Sequence, residues 1–437
     1  MNLQSQTQTA FRNYRWVICG LLFFATTINY TDRQILGLCK GMIGDELHWT
    51  DTDYGLVNSA FQFAYGFGML GFGWFVDRFG TKIGFSVSIV AWSIAAGAYW
   101  FVRSITGFFV LRAWVGLGEA GNFPASIKAT AQWFPKRERA LATSIFNSGA
   151  NVSGIIGPAL VPFIALTLNF GWRGVYVASA TAGFIWLVFW LVFYQVPEKM
   201  PRLNPAEREH ILSDRDEAQQ LTQQKMPWGS LLGYPQTWSF IIAKFLTDPI
   251  WWFFLIWLPD YFYKTRGLDI KHSWPQLVTI YSIITVLSIF GGWVTGHLAK
   301  TGWTITRARK TGMFIFALCL LPMLIVTHVG NWTAVLLFGL AGSAHQAWSA
   351  NLFTTVSDMF PKKAVASVIG IGGLAGATGG ALFPYICGKV LDHFTALGDE
   401  TAGYNVLLSV CAFVYLIAFG LNHLCAPKYE QVQIKKA

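Results

Sequence analysis

A chain of 437 residues that is 54% hydrophobic and 12% charged carries about half the charge usual for a soluble domain, which excludes a soluble globular enzyme. Its net charge of +10 does not mark a nucleic-acid binder, because the basic residues fall in short runs between apolar blocks and not along one face. The six cysteines (Cys19, Cys39, Cys319, Cys387, Cys411 and Cys425) are scattered without metal-ligand or disulfide spacing and read as small core residues.

The apolar blocks are long enough to cross a hydrocarbon layer of ~30 Å and predict an all-α membrane protein of about twelve spans. The first covers about 14–36. Arg12 and Arg15 precede it and no small-residue cleavage site follows, so a retained span is expected, not a removed signal peptide. Spans 2 to 6 cover about 53–76, 82–102, 106–130, 139–165 and 173–195. A polar break follows over 196–235, punctuated by Pro197, Pro201 and Pro205, with a capped helix start at Asn204-Pro205-Ala206-Glu207. Spans 7 to 12 fall near 236–263, 274–298, 309–327, 331–358, 363–390 and 402–425. The chain thus divides into a six-helix bundle over 1–195, a linker over 196–235 and a second six-helix bundle over 236–437.

Charges between spans alternate. Arg78 and Lys82, then Lys136, Arg137 and Arg139, then Lys300, Arg307, Arg309 and Lys310, then Lys362 and Lys363 mark one side. Asp45, Glu46, Asp51, Asp53, Asp399 and Glu400 mark the other. The positive-inside rule makes both termini and the even-to-odd loops cytoplasmic. Lys264, Arg266 and Lys271 after span 7 break the pattern without explanation from sequence. The halves also echo each other. Gly73-Trp74-Phe75-Val76-Asp77-Arg78-Phe79-Gly80-Thr81-Lys82 ends span 2, and Gly292-Trp293-Val294-Thr295-Gly296-His297 ends span 8. Repeats of this kind place a solute site near the midplane, between the halves.

The stretch Gly73 to Lys82 resembles the helix 2–3 signature of the major facilitator superfamily; its second copy carries His297 where an Asp is expected. Further blocks resemble the anion:cation symporter branch: Asn29-Tyr30-Thr31-Asp32-Arg33, Leu111-Arg112 with Gly118-Glu119-Ala120, Trp133-Phe134-Pro135 with Glu138-Arg139-Ala140, and Ala344-His345-Gln346-Ala347. The last, with Lys128-Ala129, is most similar to bacterial hexuronate transporters. The resemblance implies two pseudo-symmetric bundles in a bacterial inner membrane, a sugar-acid cargo, drive by a proton gradient without a cofactor, and a monomer with no nucleic-acid partner.

Ionisable residues inside spans cost at least ~2.5–3.5 kcal/mol at a helix centre and persist only with partners or water. Asp32 and Arg33 in span 1, Arg112 and Glu119 in span 4, and Lys244 and Asp248 in span 7 are of this kind. Arg112 and Glu119 are two turns apart on one face, and Tyr30 and Arg33 share another. Guanidinium groups suit a carboxylate cargo; the alternative is that Asp32, Arg112 and Glu119 form structural ion pairs. Asp32 and Glu119 are the proton-carrier candidates, since burial and neighbouring arginines oppose each other at a carboxyl group. Both positions match the proton-coupled aldonate carriers of the branch.

Lys244 reads either as a carboxylate ligand or as half of an internal pair with Asp248. Pro249 favours a kink. His345, Gln346 and Trp348 in span 10 suit sugar hydroxyls and a pyranose face, against a reading as packing. Tyr65 and Asn147 are similar to site positions of the branch, whereas Ala150 and Gly373 depart from its aldonate carriers and argue against galactonate. The resemblance also makes Asp77, Arg78, Glu138 and Arg139 a cytoplasmic latch that stabilises the outward-open state. Gly149 to Gly157 and Gly370 to Gly380 read as close-packing surfaces, and no Gly-Lys-Ser/Thr follows them to suggest ATP drive. An aldonate or aldarate carrier, a transporter-like sensor and a membrane-embedded enzyme are the competing readings. The sensor reading expects a signalling tail, which the short basic stretch Lys428 to Ala437 does not resemble, and the enzyme reading expects a nucleophile or metal set, of which no motif is seen in the sequence.

Overall fold

A computed structural model describes residues 13–212 and 228–432; the ends of the chain and residues 213–227 of the predicted linker lie outside the described residues. Apolar segments in lipid have to satisfy their own backbone, and a helix does so within one segment. The first six spans are built from α1 (Tyr14–Leu38), a short α2 (Lys40–Leu47), α3 (Asp51–Phe79), α4 (Thr81–Ala98), α5 (Ile105–Glu119), α6 (Asn122–Trp133), α7 (Lys136–Pro162) and α8 (Gly171–Phe193). Two short helices, α9 (Pro205–Leu212) and α10 (Trp228–Leu231), belong to the linker. The second six comprise α11 (Pro235–Arg266), α12 (Ile270–Lys300), α13 (Ile305–Leu318), α14 (Asn331–Met359), α15 (Lys362–Ala396) and α16 (Glu400–Cys425). Among the described residues, seven helical segments are long and apolar enough to cross a membrane by length and composition alone; the charge-bearing α1, α3 and α5 are not among them.

Helix ends follow local chemistry. Thr50 and Asp53 form a reciprocal capping box at the start of α3, and Asp269 caps α12 through the His272 N–H. Gly267 ends α11 in the left-handed region at φ +63°.

Four expected spans are not continuous α-helices: span 3 ends in a 3-10 turn, Tyr99–Phe101, and span 5 in a π-helix, Phe163–Thr167. Span 4 breaks between α5 and α6, where Pro124 has no N–H to offer the Ala120 carbonyl. The carbonyls left at the break find side chains instead: Ser88 Oγ donates to Gly118 O at 2.7 Å and Asn29 Nδ2 to Glu119 O at 3.5 Å. Glu119 is therefore the last residue of a helix and not the middle of one. Span 9 continues past α13 as a 3-10 helix, Leu321–His328, with Pro322 in its first turn.

The two sets of six meet along α3 with α15, α7 with α12, and α1 with α11. Where α3 begins and α15 ends the backbones touch. A Cβ on Gly55 would lie 2.3 Å from the Pro384 carbonyl oxygen, and one on Gly388 2.3 Å from that of Asp51, so only glycine fits at either crossing. Hydrogen bonds and ion pairs join the sets at this same end, which is opposite the start of α1 and the end of α16.

Candidate functional site

Between the two sets, at mid-depth, lies a cavity of about 430 Å³, within the range of small-molecule sites. The first set contributes Tyr30 of α1 and Asn147, Ser148 and Asn151 of α7. Lys244, Asp248, Trp251 and Trp252 of α11 and His345, Gln346 and Ser349 of α14 face them. Helical spacing explains the grouping. Asn147 and Asn151 are four apart, as are Lys244 and Asp248, and Trp251 and Trp252 follow about two turns after Lys244 on the same side.

Lys244 Nζ is 2.6 Å from Asp248 Oδ2 and 4.6 Å from the Phe353 ring centroid. The internal pair foreseen as one alternative is formed, and both its members line the cavity. An ammonium group has three donors, so pairing with Asp248 leaves Lys244 able to take a second anionic partner. Gly376 of α15 lies behind the pair, where a Cβ would come within 2.2 Å of Asp248 Oδ2. Pro249 deprives the Phe245 carbonyl of its helical donor, and that carbonyl packs against Gly379, again too close for a Cβ.

Beneath Tyr30 lies a buried charged cluster. Arg33 Nε donates to Glu119 Oε2 at 2.7 Å and Arg33 Nη2 to Asn29 Oδ1 at 2.9 Å. Its guanidinium sits 4.4 Å from the Tyr30 ring and 4.5 Å from the Tyr65 ring, with Phe61 and Trp252 completing an aromatic cage. Arg33 is thus one ring removed from the cavity. Arg112 Nη2 donates to the Arg33 carbonyl at 3.1 Å and to Asn58 Oδ1 at 3.4 Å. The ion pair is therefore Arg33 with Glu119. Neither oxygen of Asp32 has a hydrogen-bonding partner, and Glu119 Oε1, Arg112 Nε and Arg112 Nη1 are likewise buried and unpartnered.

Of the residues singled out from sequence, Tyr30, Asn147, Lys244, His345 and Gln346 come together at the cavity. Arg33 and Tyr65 form the layer behind Tyr30. Arg112 and Trp348 do not line the cavity: Arg112 is 2% exposed and packs on Phe61, and Trp348 is fully buried against Tyr415. Trp251, Trp252, Asn151 and Tyr415 were not foreseen. The i, i+4 spacing of Asn151 from Asn147 was the one available signal, since aromatic residues are abundant in every span.

The four latch candidates lie away from the cavity. Asp77 accepts from Lys128 at 2.9 Å, Arg78 is exposed, and Arg139 donates to the Phe134 and Ala131 carbonyls. Glu138 takes Arg15 Nε and His210 Nε2, each at 2.9 Å. Among the described residues no cluster of three His, Cys, Asp or Glu side chains could hold a metal ion.

The sequence profile of the Major Facilitator Superfamily matches residues 22–384. The chain is 28% identical to the hexuronate transporter of Escherichia coli (strain K12), over 93% of this chain and 92% of that one. It is 30% identical to the "Probable galactarate/D-glucarate transporter" of Bacillus subtilis (strain 168), over 95% and 94%. In fold it is similar to a bacterial homolog of the human lysosomal transporter Spinster, with a TM-score of 0.76 at 15% identity, covering 95% of this chain and 98% of that one.

Proposed function

This chain belongs to the Major Facilitator Superfamily and is a membrane transporter, not an enzyme, and from that premise we propose that it carries a hexuronate, glucuronate or galacturonate, into a bacterial cell together with protons. The observation that carries the reading is the wall chemistry of the central cavity. One ammonium, Lys244, stands among amides (Asn147, Asn151, Gln346) and two indoles (Trp251, Trp252). A hexuronate has one carboxylate for the ammonium, several hydroxyls for the amides, and a pyranose face for an indole. Similarity to a hexuronate transporter over nearly the whole chain supports the same class.

The mechanism follows from the Arg33–Glu119 pair. A proton on Glu119 removes the charge that holds Arg33. The guanidinium, separated from the cavity by Tyr30, then offers its charge to the cargo. Asp32 has no donor, so a proton there displaces no existing bond. Protonation of Glu119 and Asp32 and anion capture by Arg33 and Lys244 therefore assist each other, with Arg112 holding the Arg33 backbone. Alternating access proceeds by rocking of residues 1–195 against 236–437. The positive-inside rule assigns both termini to the cytoplasm of an inner-membrane protein, so the closed end is the outer one. The protein works as a monomer, with the proton gradient in place of a cofactor.

An aldarate cargo is the second reading. It is favoured by a second cation, Arg33, one ring behind the cavity wall opposite Lys244, since two cations suit a diacid, and by the galactarate/D-glucarate relative.

Counterflow of labelled glucuronate in proteoliposomes tests the proposal, with excess unlabelled galactonate, galactarate or galacturonate as competitor. Exchange that galacturonate suppresses and galactonate does not is expected. Suppression by galactarate alone supports the aldarate reading, and absence of exchange removes the hexuronate assignment.

A further inference from the structure

His345 of α14 lies parallel to Trp251 of α11, with ring centroids 5.4 Å apart and planes 9° from parallel. Its Nδ1 is hydrogen-bonded to the hydroxyl of Tyr415 on α16. Tyr415 is fully buried and held edge-on against Trp348. The same hydroxyl donates to the Thr247 carbonyl of α11 at 3.3 Å. The hydrogen bond at Nδ1 is the one His345 makes among the described residues, so Nε2 has none, and the side chain lines the central cavity.

A phenol has one proton to give, and a carbonyl can only accept. With the Tyr415 proton on the Thr247 carbonyl, the phenolic oxygen can meet His345 only as an acceptor, so Nδ1 carries the imidazole proton. The hydrogen bond at one ring nitrogen fixes the state of the other, and a neutral imidazole protonated at Nδ1 presents a bare lone pair at Nε2. The reverse arrangement, with the phenol donating to Nδ1, leaves the Thr247 carbonyl only its helical donor, the Trp251 N–H.

We infer that His345 receives a hydroxyl hydrogen of the cargo at Nε2, and that Tyr415 is the positioning residue that fixes the tautomer able to do so. This rests on the reading of the cavity as a sugar-acid site and adds a selectivity rule to it. The position in contact with His345 must donate a hydrogen bond. A hydroxyl does so; a keto oxygen, a methyl ether or a fluorine does not. Lys244 and the amides recognise the charge and the remaining oxygens, whereas His345 rejects sugar acids oxidised or capped at that one carbon.

The tautomer is tested first, on the full chain in lipid nanodiscs with nitrogen-15 histidine. The His345 signals are assigned by their loss in His345→Gln. Nδ1 is expected to carry the proton, and Tyr415→Phe to shift it towards Nε2. A proton on Nε2 in the unmutated protein overturns the inference, and this measurement needs neither a folded Tyr415 variant nor a known cargo. Monodeoxyfluoro glucuronates are then used as competitors in counterflow. One position is expected to compete about tenfold more weakly than glucuronate, with the deficit falling to within about threefold in Tyr415→Phe. Equal deficits in both proteins overturn the hydroxyl rule. Absence of glucuronate exchange together with a bare Nε2 counts against the cargo assignment, while the tautomer stands on the spectrum.

Discussion

Lys264 Nζ lies 2.6 Å from Asp51 Oδ2, and this contact ties the last turn of α11 in the second half to the first turn of α3 in the first. It belongs to a larger cluster. Lys40 reaches Asp51 at 2.6 Å and Asp260 at 2.7 Å, and Asp392 accepts from the Asp51 and Thr52 N–H groups at 2.8 Å each. Two lysines thus face two buried aspartates across the boundary between halves. The basic run after span 7, anomalous as a topology signal, has a structural use here: Lys264 closes the interface, and Arg266 caps the Val326 and Val329 carbonyls.

The cluster predicts a gate. Removing one partner from a pair buried to this degree costs about 1–3 kcal/mol after allowance for the partial exposure of Lys264, which shifts a two-state equilibrium about five- to 150-fold. Lys264→Met is therefore expected to favour opening of this end. Asn147→Cys in the cavity reports it through labelling by a membrane-impermeant thiol reagent added outside. Labelling should rise at least about fivefold in Lys264→Met and stay low in Lys264→Arg. Unchanged labelling would mean that the cluster does not hold this end shut.

The two membrane acids are predicted to fail differently. Asp32 makes no geometrically formed hydrogen bond among the described residues, with the Ser179 side chain as its polar neighbour, so Asp32→Asn keeps shape and neighbours; counterflow should stay within about threefold while uphill accumulation is lost. Glu119→Gln breaks the charge pairing with Arg33 and should also lose accumulation, with counterflow changed further because Arg33 is released. If both acids load, two protons accompany a monoanion and a membrane potential drives uptake. Potential-insensitive uptake would remove one of the two from the coupling set.

The spans were legible in the sequence because each is an apolar block bounded by charge or proline, a signal that requires no tertiary knowledge. The break after Glu119 was not, since the run Gly116 to Pro124 is small or apolar apart from Glu119 and Asn122, and only the missing N–H of Pro124 marks it. Arg33, Glu119 and Asp32 were all visible as intramembrane charges, but their pairing depends on how α1 lies against α5, 86 positions away in the chain, so Asp32 gave no sign that it would lack a donor. Trp251, at the cavity, and Trp257, fully buried six residues later, look alike in sequence. Only the neighbouring helices distinguish them.

Arg33 and Glu119 are predicted to behave as one unit in stability and as two in transport. Arg33→Leu strands a buried carboxylate and should cost about 3–5 kcal/mol, whereas replacing both members by apolar residues is often neutral. The melting temperature in detergent should fall in Arg33→Leu and recover most of the loss in Arg33→Leu with Glu119→Leu; neither variant should transport. A double variant no more stable than the single one would show that the aromatic cage, and not the pair, holds this region together.

The linker helix supplies the cap that α1 lacks. Asn13 gives α1 no side-chain cap, and Glu207 of α9 takes that place, accepting from Tyr14 N at 3.0 Å, Arg15 N at 3.1 Å and Arg15 Nη1 at 3.0 Å. A carboxylate here also complements the positive end of the helix dipole. Glu207→Gln is expected to cost about 1–2 kcal/mol, read as a lower melting temperature with transport retained above it. Arg15 also binds Glu138, which reaches His210 of α9 in turn. Burial pushes the Glu138 carboxyl up, but His210 and Arg15 outweigh it and hold it below the usual carboxylate range. A carboxyl lowered in the folded state contributes stability above its unfolded value, about 4.3, and loses that contribution as pH falls through the folded value. The melting-temperature gap between the unmutated protein and Glu138→Gln should therefore hold from pH 7 to about 5 and close below about 4. A gap that persists unchanged through that range would show that the charge of Glu138 does not bind the linker helix to the first half.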